Sequence, residues 1–478
     1  MRYTGPELCA LSAVEVVTLL RKGEVSSEEL IRSALERISV VDPEVNAVPT
    51  LCAERAYKQA TKIKTSGSFS TKHSGWLFGL PITIKDLNNV SGVRTTFGNY
   101  ALKNNISKEN DPIVDRLEER GAIILGKTNT PEFGAGGNTF NEVFGMTRNP
   151  WNTAKNAGGS SGGAAVSLAT GEIWLSHGSD LAGSLRTPAA YCGVVGLRPS
   201  PGRCGGGPPV ASFLNESTSG PMARNVKDLA LFLDSMTGFD PRMPISLDSP
   251  SIPFQSAVNS YKSNIKIAFS TDQGGFAPVE NEIRQAIIDA MKKLEKAGAH
   301  VDEKCPKLPN LYETYVTLRG IHYATVTNSQ PEAVKQKFKA TLKGNLRRGL
   351  DISSQEIFNS YRSKSALYQI MRNFLNYYDV FALPVVGIQP GPVEQEFPKQ
   401  VDEVPVKDYV DWLSFSFLAT TTGLPSIAMP ICLSNDKIPI GIQLIGPPRG
   451  ERVLLQAARF LEEVVEFEKL PIDPIVNH

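Results

Sequence analysis

The sequence predicts an α/β fold, a mixed central β-sheet covered by helices on both faces, and three observations carry that expectation. Beyond Gly79, short β-branched runs alternate with amphipathic helical patterns, as in a sheet layered with helices. The chain is 478 residues long and 41% apolar, enough to bury a large core. No linker is clean enough to split it. One domain over 1–478 is therefore expected, with N-terminal helices over about 10–65, a motif-bearing core over about 75–235, and a C-terminal part over about 260–470 whose helices help form a pocket.

The elements follow in order. Residues 11–40 carry apolar positions at helical spacing, Ala13, Val16, Val17, Leu19 and Leu20, then Leu30, Ile31, Ala34, Leu35 and Ile38, which predicts two helices. The second opens on a capping box, in which Ser26 and Glu29 each satisfy a backbone N–H that a helix start leaves unpaired. Ile82-Thr83-Ile84 and Ile123-Ile124-Leu125 read as strands, with a helix over 113–118 between them. The stretch 202–209, with four glycines and two prolines, reads as an irregular loop. A helix over 225–233 precedes a proline- and serine-rich surface excursion over 240–262. A further helix over 278–299 leads to a strand over 299–301, residues 310–378 are mostly helical, and strands return over 380–384 and 426–430.

Composition excludes several function classes. Fifty basic against 49 acidic residues leave a net charge of +1, and no block of five like charges occurs, which argues against nucleic-acid binding. Six cysteines without CxxC spacing suggest neither a zinc site nor a disulfide framework. Residues 1–7 lack the charged-then-apolar pattern of a secretion signal, and no run approaches about eighteen apolar residues, so a soluble cytoplasmic protein without a membrane partner is expected.

The chemistry concentrates in two glycine-dense turns. The first, Gly158-Gly159-Ser160-Ser161-Gly162-Gly163, opens a run of small residues able to form a closely packed helix. The second, Gly178-Ser179-Asp180-Leu181-Ala182-Gly183-Ser184-Leu185-Arg186, sets a serine after a glycine at the end of a buried-looking strand. A serine nucleophile needs a base. His177 is near in sequence, but no Gly-x-Ser-x-Gly elbow accompanies it, so a structural histidine is the better reading and a Ser-His-Asp route the minor candidate. Lys85 ends the apolar run Pro81-Ile82-Thr83-Ile84, and burial there would lower its pKa toward neutrality. A lone lysine at a strand end usually reads as a surface residue; the two glycine-serine turns reverse that weighting. Two decoys fall away. Residues 121–128 satisfy GxxxxGK[ST], but the spacer is itself an apolar strand candidate rather than a curl of N–H groups around phosphate. The Gly-Gly-Ser-Ser-Gly-Gly run is no linker, because a helix and a strand follow it at once.

Over almost the whole chain, ordered runs resemble the amidase signature family: 79–86, Gly126-Lys127-Thr128-Asn129, Asn149-Pro150-Trp151-Asn152, both serine turns, 192–199, 220–224 and 441–446. The resemblance implies that fold, with Ser184 as the acylated nucleophile, Ser160 as a bridging serine after a cis peptide bond, and Lys85 as the terminal base. Backbone N–H groups of Leu181, Ala182, Gly183 and Ser184 would hold the oxyanion. Ser161, Asp180 and Arg186 are read as shaping the site, and Gly134, Ala135 and Gly136 as contacting substrate. No metal or organic cofactor is expected. One departure stands out: the family carries Gly-Gly before the nucleophile, whereas Ala182-Gly183 here adds a Cβ that restricts positive φ and crowds the acyl side. The expected reaction is hydrolysis of a non-peptide C–N acyl bond in a small, apolar or aryl amide. Its rivals are carbamate hydrolysis by the same residues, a glutamine amidotransferase A-type subunit needing partner chains, and an inactive binding member, against which the intact Lys85, Ser160 and Ser184 argue. A homodimer is compatible with the sequence.

Overall fold

The β-branched runs become the interior of one large sheet. In the computed structural model, which describes residues 3–66, 74–205 and 209–477, eleven strands pair in a single mixed sheet. In chain order these are β1 (Thr50–Leu51), β2 (Pro81–Lys85), β3 (Ile123–Thr128), β4 (Leu175–Asp180), β5 (Val195–Arg198), β6 (Thr218–Ala223), β7 (Lys266–Phe269), β8 (His300–Glu303), β9 (Val380–Pro384), β10 (Ser426–Leu433) and β11 (Pro439–Ile445). Across the sheet they run β1-β3-β2-β4-β6-β5-β10-β11-β9-β7-β8. β2 is parallel to β3 and β4, and β7 to β8 and β9; the remaining pairs are antiparallel. Residues 1–2, His73, His478 and the centre of the predicted 202–209 loop lie outside the described residues.

Every residue of β2 and β3 is buried. Successive side chains of a strand point to opposite faces, so both faces are covered there, and the expected α/β layering is the one found. Part of the cover is the Gly162–Ala169 helix, whose eight residues are all buried. It lies close enough that a Cβ on Gly163 would sit 2.5 Å from the Ala47 carbonyl oxygen and the Asn129 nitrogen, which explains the small residues of this segment. The N-terminal helices form as predicted, over Ala13–Lys22 and Ser27–Val45, and both carry a complete capping box, Ser12 with Glu15 as well as Ser26 with Glu29.

Several boundaries move. The helix predicted over 278–299 is Asn281–Lys296, the strand after it runs His300–Glu303, and the helix predicted over 225–233 continues to Met236. The 240–262 segment is not all surface: Met243, Phe254, Ala257 and Val258 are buried. The P-loop decoy is a strand. Lys127 sits in β3, fully buried, and donates to Asp86 Oδ1 at 3.0 Å and Thr95 Oγ1 at 2.8 Å, leaving no ammonium for phosphate. Among the described residues, no helix is long and apolar enough to cross a membrane.

Candidate active site

Because β2 and β4 are parallel neighbours, with Thr83 opposite Ser176, their C-terminal ends come out side by side. Lys85 ends β2 and Asp180 ends β4. The Lys85 side chain is wholly buried, and its Nζ donates to Ser160 Oγ at 2.6 Å, Ser161 Oγ at 2.8 Å and Ser179 Oγ at 3.1 Å. Burial pushes this ammonium down to about 7, against the opposing pull of the Asp180 charge. Lysine and neutral amine are then both populated near neutral pH. Ser160 follows Gly159 through a cis peptide bond.

Ser184 arrives from the other turn. The Ser161 N–H donates to the Ser184 carbonyl at 3.1 Å, which ties the two turns together. Among the described residues, nothing hydrogen-bonds the Ser184 hydroxyl, so it is not joined to Ser160 here; hydrogen bonds that act in a reaction are often loose until substrate is bound.

Asp180 organises the turn that carries Ser184. Its carboxylate accepts two hydrogen bonds from Arg186, Nε and Nη2 each at 3.0 Å, and two more from the backbone N–H groups of Gly183 at 3.0 Å and Leu185 at 3.1 Å. Burial alone would raise this carboxyl, but the Arg186 guanidinium, its hydrogen bonds and the Arg198 charge hold it well below the usual carboxylate range. Arg186 in turn donates to Gln443 Oε1 at 2.9 Å, anchoring the turn to β11.

This wiring divides the four backbone N–H groups of the turn. The Gly183 N–H is occupied by Asp180, whereas among the described residues the N–H groups of Leu181, Ala182 and Ser184 have no protein acceptor. The crowding expected from Ala182 does not take the expected form: Gly183 alone adopts a positive φ, +86°, and Ala182 does not. The Leu181 side chain packs with Ala135, Tyr323, Val334, Phe338 and Leu342 in one apolar cluster.

The 134–136 segment splits. Gly134 borders Ser160, since a Cβ there would lie 3.4 Å from Ser160 Oγ. Ala135 belongs to the Leu181 cluster, and Gly136 backs onto Gly159. The residue just before this stretch, Phe133, lines the adjoining cavity, stacked on Phe97 at 5.6 Å and edge-on to Phe338 at 5.4 Å. That cavity, about 350 Å³, is bounded by Leu87, Phe97, Phe133 and Met236 and reaches Ser179, the residue whose hydroxyl bonds Lys85. Sequence reasoning gives Ser179 no role; its place at the end of the strand beside β2 is the signal that could have found it.

His177 lies within β4, fully buried, and neither ring nitrogen has a partner among the described residues. Burial, reinforced by the charges of Lys85 and Lys127, pushes its imidazole down to about 3.

Comparison with known proteins agrees in kind. The family profile described as Amidase matches residues 29–455. An acylamidase of Rhodococcus erythropolis is 31% identical over 482 residues, spanning 99% of each chain. The A-type subunit of the glutamyl-tRNA(Gln) amidotransferase of Moorella thermoacetica is 32% identical over 484 residues, 97% of this chain and 98% of that relative. A solved bacterial aryl acylamidase of the amidase signature enzymes superposes with a TM-score of 0.88 at 27% identity, over 96% of this chain and 97% of that one.

Proposed function

This chain belongs to the amidase signature family, and from that premise we propose that it hydrolyses the C–N bond of small apolar or aryl amides through an acyl-enzyme on Ser184. The observation that carries the reading is a wholly buried lysine, pushed down to about 7, hydrogen-bonded at 2.6 Å to a serine whose turn is tied to Ser184. Neutral Lys85 accepts the Ser160 proton while Ser160 accepts that of Ser184, and the freed Ser184 oxygen attacks the substrate carbonyl. The N–H groups of Leu181, Ala182 and Ser184 receive the oxyanion, a contribution of about 3–4 kcal/mol for a well-placed donor. Ser160 then returns a proton to the departing nitrogen and is resupplied by Lys85. Water, deprotonated along the same path, attacks the Ser184 ester and releases the acid.

The pH dependence follows with a definite sign. The base form of Lys85 is the active one, and burial lowers its pKa, so kcat/KM is expected to rise with pH on a limb centred near 7 and to level off above it. His177→Phe should leave that limb in place. A limb that disappears in this variant assigns the base to histidine.

The apolar reading of the substrate rests on Leu181, Ala135 and Phe338 in one cluster and on the Phe97 and Phe133 walls of the cavity. Burying a phenyl or short alkyl group there contributes about 1.5–3 kcal/mol. The isolated chain is therefore expected to cleave aryl and alkyl amides, and carbamates of similar shape, with higher kcat/KM than glutamine, asparagine or malonamate. The likeness to the glutamyl-tRNA(Gln) amidotransferase chain favours one rival, a glutaminase component of a larger assembly. A preference for glutamine of about tenfold or more, increased by added partner chains, would establish that rival and remove the present reading.

A further inference from the structure

We propose that His322 selects substrates carrying one uncharged hydrogen-bonding group, a carbonyl or hydroxyl, away from the scissile amide. This deepens the proposed function, and rests on its assignment of the reaction to Ser184, on the turn that follows Ser179 at one end of the cavity.

His322 stands on the Leu311–Thr327 helix and lines the same cavity as Ser179; Val326, one turn on, and Gln330 beyond it complete that side of the wall. The side chain is only 7% exposed, and among the described residues nothing hydrogen-bonds either ring nitrogen; Nδ1 is sealed from solvent and cavity alike, whereas Nε2 is not closed off. Its packing is an edge-on contact with Tyr323 at 5.6 Å. Buried side chains are ordinarily satisfied, so Nε2, the unpartnered ring nitrogen that is not closed off from the cavity, marks where an occupant's polar atom belongs.

The ring offers this hydrogen bond without a charge. Burial pushes the imidazole down to about 4; Glu216 pulls the other way, and Arg319 adds to the lowering. The Glu216 carboxylate is itself engaged by the Lys364 ammonium at 2.6 Å. At Nε2 a neutral imidazole presents either an N–H or a lone pair, according to its tautomer, which suits a carbonyl or a hydroxyl. The charged groups on the wall are already committed: Asp111 to Asn88 and Asn89, Asp240 to Arg242, and Arg116 to the Phe239 carbonyl. Much of the remaining wall is apolar, so a ligand with no polar group leaves His322 without a partner, and sites of this kind discriminate strongly against such analogues.

The test uses binding, so that it does not depend on turnover. In the Ser184→Ala protein, calorimetry compares para-acetyl acetanilide with para-isopropyl acetanilide, ligands of nearly the same shape that differ by a carbonyl. The acetyl compound is expected to bind about tenfold or more tightly. That ratio should fall below about threefold when His322→Phe is added and survive in part with His322→Gln, which keeps a hydrogen-bonding group and controls for misfolding. An unchanged ratio in the His322→Phe protein, equal binding of the two ligands in the parent, or no binding of either overturns the proposal. Failure of the unmodified protein to cleave either anilide counts against the proposed function instead, and leaves the binding comparison intact.

Discussion

Ser184→Ala is expected to abolish turnover and leave the fold unchanged. The Ser184 hydroxyl holds no hydrogen bond among the described residues, so its removal orphans nothing, while the proposed mechanism loses the oxygen that attacks the carbonyl and carries the acyl group. Ser160→Ala and Lys85→Met should each lower kcat by about 10⁴-fold or more, because in the proposed mechanism the three groups form one proton path and residues that act as a unit are grossly non-additive. The double variant Ser160→Ala/Lys85→Met should accordingly be little worse than the poorer single one. Methionine replaces Lys85 here because the site is wholly buried and a truncation would leave a void. Rates are read on an aryl amide, and the nucleophile is checked by mass spectrometry after treatment with a serine-reactive phosphonate. The adduct is expected on Ser184. Attachment to Ser161, or to Cys204 on the cavity wall, refutes the assignment.

What was legible in the sequence depended on whether a residue's partner was local. The Ser26–Glu29 capping box, the β-branched strands and the small-residue helix are written in adjacent residues, and they formed where expected. β6 was harder to read. Thr218–Ala223 contains Gly220 and Pro221, which normally argue against a sheet interior, yet it lies between β4 and β5. Its ladder to β5 begins only at Met222, so one side of Pro221 has no strand to bond, and a Cβ on Gly220 would lie 2.2 Å from the Leu197 carbonyl oxygen. Both breakers are accommodated by contacts far away in the chain.

The site shows the same division. The two glycine-serine turns and Lys85 stand out as residue patterns, whereas the fate of each backbone N–H does not. That Asp180 occupies the Gly183 N–H depends on how the turn folds back on the end of β4. His322 carries no local signature at all. It matters only because residues more than a hundred positions earlier, Ser179 and Phe133 among them, wall the same cavity.

The second large effect concerns stability and falls on Arg186. Asp180 is a fully buried carboxylate whose charge is balanced chiefly by the two hydrogen bonds from Arg186, with Arg198 at 3.5 Å as a weaker neighbour. Arg186→Met keeps the volume and removes the charge, which leaves a buried anion short of its partner, and a loss of about 3–5 kcal/mol in urea unfolding is expected. The pH dependence distinguishes this cause from lost packing. Arg186 keeps the Asp180 carboxyl below its unfolded value of 3.8, so its stabilisation is fully present above that pH and fades as pH falls. The gap between the natural protein and Arg186→Met should therefore be widest near neutrality and narrow in acid, where the stranded carboxylate takes up a proton. Adding Asp180→Asn to Arg186→Met should recover part of the loss, because the amide oxygen can still accept from Gly183 or Leu185 without bringing a charge. If the second substitution deepens the loss, or the gap is the same at every pH, the turn is held by something other than this ion pair.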